Sequence, residues 1–252
     1  MKKILCVLLL ILAPIISFAQ AKKILIVASN ISTVNNAPNG TFLMEIAYPF
    51  QHFIQNGYEV DVVSPAGGKV ALYHKGDTAQ DLSHIARNRH FKEKTNNSMA
   101  PRQVKAKEYV AIYYPGGYGL FWDINQNEEI AALAASIYKR GGLVGTAGHG
   151  AAALVNVRVG KKQFLVEGKR MTCFPSWAEK AWMRESNYGK LLPFDMETAL
   201  SERKASLVVS TYETGKNPDM IRVSDDANRI VTASFADDAK WVAERMVELL
   251  VL

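Results

Sequence analysis

The stretch Gly142-Leu143-Val144-Gly145-Thr146-Ala147-Gly148-His149-Gly150-Ala151-Ala152-Ala153-Leu154 reads as a buried apolar strand, a very tight turn, and then a helix of small residues. Many α/β enzymes hold a nucleophile on such a sharp strand-to-helix turn, its side chain pushed into a pocket at the helix N-terminus. The apex here is Gly148, which has no side chain. The turn therefore points to an α/β fold and, at the same position, away from a nucleophile.

The segments on either side extend that reading. Upstream, Lys23 to Ser29 is an apolar, β-branched run that predicts a buried strand. Phe42 to Gln55 places Phe42, Ile46, Phe50, Phe53 and Ile54 at helical spacing, closed by Gly57. Tyr58 to Val63 predicts a second strand, stopped by Ser64-Pro65-Ala66-Gly67-Gly68. Residues 76–103 are polar and less regular, consistent with a helix and loops outside the sheet. Tyr109 to Tyr114 predicts another strand, ending in Pro115-Gly116-Gly117-Tyr118-Gly119, and Glu128 to Tyr138 a helix. Downstream, Arg170 to Phe174, Ser206 to Tyr212, Met220 to Val223 and Arg229 to Thr232 predict short strands, and Asp237 to Leu250 a final amphipathic helix. Strands alternating with helices imply parallel βαβ units in a doubly wound, mostly parallel sheet sandwiched by helices. Repeats, low-complexity stretches and linkers are lacking, so residues 20–252 read as one domain with small insertions.

The first residues are expected to lie outside that domain. Lys2 and Lys3 precede an apolar run from Ile4 to Ile16, and small residues at Ser17-Phe18-Ala19 and Ala19-Gln20-Ala21 sit at cleavage-site spacing. This is the pattern of a secretory signal peptide over residues 1–19, cut after residue 19 or 21. The mature chain is then periplasmic or secreted, with no stable membrane anchor. Cys6 sits at the front of the apolar run, which argues against a lipid-bearing cysteine. Cleavage takes the formal charge from +6 to +4, and the basic residues are scattered rather than clustered, which argues against a nucleic-acid partner. A single cysteine, Cys173, remains and cannot form an internal disulfide. His52, His74, His84, His90 and His149 lack metal-ligand spacing. The reading therefore includes no metal and no cofactor.

Ligand sites of open α/β sheets lie at the carboxyl ends of strands. Three such ends carry unusual residues: the one before Glu45, the glycine-rich loop 115–119, and Gly148-His149-Gly150. Glu45 precedes Pro49 by four residues. Proline removes the N–H that would bond the Glu45 carbonyl, so the helix should be loosened or kinked there, aiming the carboxyl into a cleft. The glycine loop can turn N–H groups toward an oxyanion. Trp122, Trp177 and Trp182, with Tyr113, Tyr114 and Tyr118, read either as aromatic walls of a cleft or as core.

In order and spacing these segments resemble the ThiJ/PfpI superfamily, with its class I glutamine-amidotransferase-like, flavodoxin-like fold. The branch they most resemble is that of heat-inducible chaperones and glyoxalase-III-type proteins. Besides the stretches above, the resemblance includes Trp122-Asp123, Val166-Glu167-Gly168-Lys169-Arg170-Met171-Thr172, Leu192-Pro193-Phe194 and Glu197. It implies an elbow of the form Ala-x-Cys-His-Gly, with a low-pKa cysteine beside a glutamate and the adjacent histidine. Carried across, Glu45 matches the glutamate, His149 the histidine, and Gly148 the cysteine. Gly116, Gly117 and Gly119 match the oxyanion loop, with Gly150 closing the elbow. Tyr118 stands where that branch often has histidine. Glu179 matches an acidic residue that orients the histidine, although Pro175-Ser176-Trp177-Ala178 fits the pattern poorly. Ala233-Ser234-Phe235-Ala236 replaces a Gly-x-Asn-Pro stretch.

Two functions from different classes remain open. One is a catalytically impaired protein that binds a small carbonyl or carboxylate ligand, or has a chaperone-like role. The ligand's charge would meet the helix N-terminus behind Gly148 and the loop N–H groups. The other is a residual glyoxalase-III-, deglycase- or hydrolase-type enzyme using His149 with Glu45, or a relocated Cys173. Cys173 reads as a buried, unreactive thiol. The resemblance also implies a homodimer.

Overall fold

The structure, a computed structural model, describes residues 22–251 apart from 35, 75–77, 186–191 and 216. The expected signal peptide lies outside the described residues. Six strands form the main sheet: β1 (Lys23–Val27), β2 (Glu59–Val63), β3 (Tyr109–Tyr114), β4 (Leu143–Ala147), β5 (Arg222–Asp225) and β6 (Ile230–Ala233). Their order across the sheet is β5-β6-β4-β3-β1-β2, parallel throughout except for the antiparallel β5–β6 pair. This is the flavodoxin-like, doubly wound order expected from the sequence.

The central strands are buried on both faces, as parallel strands covered by helices must be. Ile24 and Ile26 of β1 face one apolar layer, and Leu25 and Val27 face the other. The first layer is closed by α1 (Leu43–Gln55) and α8 (Ala239–Val251), which pack against each other. In α8 the buried residues Ala239, Val242, Ala243 and Met246 recur at the spacing of one helical face. α2 (Thr78–Arg87) and α3 (Arg89–Asn96) cover the same layer through Leu82, Ile85 and Phe91. The opposite layer is closed by α4 (Glu128–Lys139), capped by Asn127 onto the Ile130 N–H, and by the segment after β4. In chain order α5 (Ser176–Glu185), α6 (Met196–Glu202) and α7 (Pro218–Ile221) follow between β4 and β5. Among the described residues no helix is long and apolar enough to cross a membrane.

Several local expectations need correction. The segment after Gly148 is a 3-10 helix over Gly148–Leu154, seven residues long, in place of a regular α-helix. The Ala152 carbonyl there accepts from both the Asn125 amide and the Val155 N–H, a tight three-residue closure. The strand expected at Met220 to Val223 begins only at Arg222. Asn217 caps the Asp219 N–H and Pro218 opens a helical turn, so the chain extends only from Arg222. The strands expected at Arg170 to Phe174 and Ser206 to Tyr212 shrink to the two-residue pair Arg170–Met171 and Ser206–Leu207. Beyond Leu207 the Thr211 and Thr214 side chains bond backbone N–H groups and hold a turn instead.

α1 itself is continuous through Pro49. The carbonyl of Glu45, left without its helical partner, accepts the Tyr113 hydroxyl at 2.8 Å. A buried tyrosine on β3 therefore replaces the N–H that proline lacks, and the expected loosening does not occur.

Candidate functional site

Three strand ends converge on one cavity of about 370 Å³. The end of β1 leads to Glu45 in the first turn of α1, β3 to Gly116–Tyr118, and β4 to Gly148 and His149. Phe42, Tyr73, Phe174 and Trp182 form most of the apolar wall.

Gly148 sits at the elbow with φ +51°, in the left-handed region that favours glycine. A Cβ on Gly148 would stand 2.6 Å from Glu45 Oε1. The Glu45 carboxyl thus occupies the space into which a side chain at the elbow would grow. Gly116 is equally constrained, because its own Cβ would collide with Glu45 Oε2. Both glycines make room for one carboxyl group.

That group is buried, only 3% exposed, and Oε2 has no hydrogen-bond partner. Burial favours the neutral form, the Gly116 N–H opposes it, and the charge of Asp237 adds to burial, so the Glu45 pKa is pushed up to about 8. At neutral pH Glu45 is chiefly a carboxylic acid, able to donate a hydrogen bond.

His149 is fixed from three directions. Its Nε2 lies 2.7 Å from Glu179 Oε2, and the Tyr118 hydroxyl donates to Glu179 Oε1 at 2.9 Å. The Tyr118 and Phe174 rings lie 4.5 and 4.4 Å from the imidazole, centroid to centroid. Burial works against the charge of Glu179. The charge and hydrogen bond of His149, with the Tyr118 hydroxyl, outweigh it and hold the carboxyl below its usual range. The ionised carboxylate accepts Nε2–H, and Nδ1 makes no hydrogen bond to a described residue.

The structure brings Glu45, Gly116, Gly117, Tyr118, Gly148, His149 and Glu179 together. It does not bring Gly119 or Gly150 to the cavity wall. The Gly119 N–H donates to the Gly40 carbonyl, and Gly150 packs against the Tyr114 carbonyl. The seven-residue 3-10 segment is also too short to supply the helix dipole expected behind Gly148. Of the three tryptophans, only Trp182 lines this cavity. Trp122 packs on Phe121, and Trp177 lines a separate groove. Cys173 is fully buried and absent from the cavity wall, and burial together with the charges of Glu197 and Asp195 pushes its thiol far up. Among the described residues no group of three or more His, Cys, Asp or Glu is placed to hold a metal ion.

Sequence reasoning missed Phe42, Tyr73 and Phe174 as cavity walls, and His74 at the rim. Phe42 and Tyr73 are paired in a two-stranded sheet, His74 follows Tyr73 and Phe174 follows Cys173, and none stands in a pattern that separates a wall from ordinary core.

The chain is 30% identical over 171 residues to the glutathione-independent glyoxalase HSP31 of Saccharomyces cerevisiae, an alignment covering 63% of this chain and 70% of that protein. Other curated relatives are matched over 53–65% of their length. Among solved structures, the Rapid Encystment Protein 24 KDa (REP24) of Francisella tularensis superposes with a TM-score of 0.77 at 28% identity, covering 91% of this chain and 99% of that one. Glyoxalase III from Candida albicans superposes with a TM-score of 0.72 at 21% identity, covering 90% and 97%, and shares the fold. The profile of the DJ-1/PfpI family matches residues 36–249, which takes in the glutamate, the glycine loop and the elbow alike. With the sheet order and the convergent strand ends, this match establishes that the chain belongs to the DJ-1/PfpI family.

Proposed function

We propose that the chain is a ligand-binding member of its family, which holds a small carbonyl- or carboxylate-bearing molecule without covalent turnover. One observation carries the reading: the position that family resemblance assigns to the nucleophile is Gly148, and the Glu45 carboxyl stands 2.6 Å from where its Cβ would be. A thiolate cannot be replaced there by any group present, because Glu45 is mainly protonated and Cys173 lies outside the cavity. The acid form of Glu45 offers a hydrogen-bond donor to a ligand oxygen, with the His149 ring beside it, against apolar walls that exclude water. A chaperone-like role rests on no feature of the cavity and ranks behind small-ligand binding.

The test is titration of the mature protein with pyruvate and with methylglyoxal, followed through tryptophan fluorescence and intact mass. Saturable, dialysable binding with unchanged mass is the expected result, weakened by Trp182→Ala. A stable mass increase that survives denaturation overturns the proposal.

The second reading is a residual glyoxalase-, deglycase- or hydrolase-type activity with His149 as base. It is favoured by the buried His149–Glu179 pair, an arrangement suited to general base catalysis. The names of the yeast and Candida relatives point to the same chemistry class. We also propose export and a homodimer, the first from the charged and apolar start of the chain, the second from family resemblance. N-terminal sequencing of the exported chain should find Gln20 or Lys22 first, and light scattering should give twice the chain mass. An intact Met1 or a monomer mass refutes the respective claim.

A further inference from the structure

A second cavity, of about 660 Å³, opens beside the candidate site and shares no lining residue with it. Three aromatic rings line it. Trp177 and Tyr212 meet edge to face with centroids 5.5 Å apart, and Phe235 lies 6.3 Å from Trp177. The indole N–H of Trp177 donates to the Ser210 carbonyl at 2.7 Å, which fixes the ring. Gly215 lies flat against it, since a Cβ there would stand 2.8 Å from the indole edge. Tyr212 is 78% exposed, one of two large hydrophobic residues so exposed among the described residues.

Three carboxylates share the groove. Asp238 is neutralised by Arg222 at 2.6 Å. Glu213 accepts the Thr211 hydroxyl at 2.7 Å and has no ion pair with a described residue, and Asp237 has no hydrogen bond or ion pair with a described residue. Among the described residues, two carboxylates without an ion pair therefore stand beside aromatic rings, on a chain whose net charge is +6. Aromatic faces attract cations through their quadrupole, and nearby carboxylates add the Coulomb term. An anion or a neutral apolar group would leave those charges unanswered.

We infer that this groove binds a small organic cation of the alkylammonium class, its alkyl groups against Trp177, Tyr212 and Phe235 and its charge against Glu213 and Asp237. The groove shares no lining residue with the first cavity, and the charge of Asp237 is what reaches across to Glu45.

The test is calorimetric titration of the full mature chain with tetramethylammonium chloride, and in parallel with tert-butanol, an uncharged molecule of similar shape. Saturable binding of the cation, with tert-butanol at least ~10-fold weaker, is expected. Tyr212→Ala and the double change Glu213→Gln with Asp237→Asn should each weaken the cation by about 5–10-fold while leaving the melting temperature within error of wild type. These side chains are exposed, so loss of folding does not confound the result. Absence of saturation up to ~100 mM cation, equal binding of tert-butanol, or unchanged affinity in both variants overturns the inference.

Discussion

At Glu45 burial outweighs every group that favours charge. The carboxyl ordinarily titrates near 4.5, and in the folded protein near 8. Below 4.5 it is protonated whether the chain is folded or not. Between the two values the folded chain keeps a proton that the unfolded chain releases, so stability falls as pH rises, by at most about 1.4 kcal/mol per pH unit. Above about 8 the penalty is complete. We predict that Glu45→Gln, which cannot ionise, flattens the melting-temperature profile between pH 5 and 8 and is more stable than wild type above pH 8. A profile parallel to wild type contradicts the buried acid. Glu179 shows the opposite balance: it is held ionised despite burial because two donors meet it. The two carboxyls of the site thus differ in charge at neutral pH for stated local reasons.

Among the elements, α1 and β3 are tied together by the Tyr113 hydroxyl and the Glu45 carbonyl that Pro49 leaves open. We predict that Tyr113→Phe costs about 1–3 kcal/mol in denaturant unfolding, because the carbonyl is then buried without a partner. In a Pro49→Ala background the restored N–H satisfies that carbonyl, and the same substitution should cost at least about 1 kcal/mol less. Equal costs in both backgrounds contradict the latch. The elements most legible in the sequence were those with a strong period or a strong stop. β3 was read with its bounds correct, and α1, α4 and β2 to within a residue. Of the later strands, Arg229 to Thr232 was read to within a residue of β6, and the other three were not, because their fate depends on side-chain hydrogen bonds such as those between Asn217 and Asp219 and between Thr211 and Thr214. Propensity alone does not see those bonds. The same holds for the site. Glu45, Gly148 and His149 stand in recognisable motifs. Glu179 was reached only through the family resemblance, and α5 places it on His149, whereas the Phe42 and Phe174 walls depend on the tertiary arrangement alone.

The whole molecule explains why these residues meet. The order β5-β6-β4-β3-β1-β2 brings the carboxyl ends of β1, β3 and β4 side by side, with α1 on one face and the Gly148–Leu154 segment on the other. A ligand cavity belongs where neighbouring connections leave the sheet in opposite directions, and this one lies there. The fold thus keeps a pocket lined by Glu45 and His149 around an elbow without a side chain. The most direct measurement is methylglyoxal consumption by purified mature protein at neutral pH, alongside His149→Ala and Gly148→Cys. Wild type and His149→Ala should both match the buffer rate. Consumption by wild type that His149→Ala abolishes contradicts the account, whatever Gly148→Cys does.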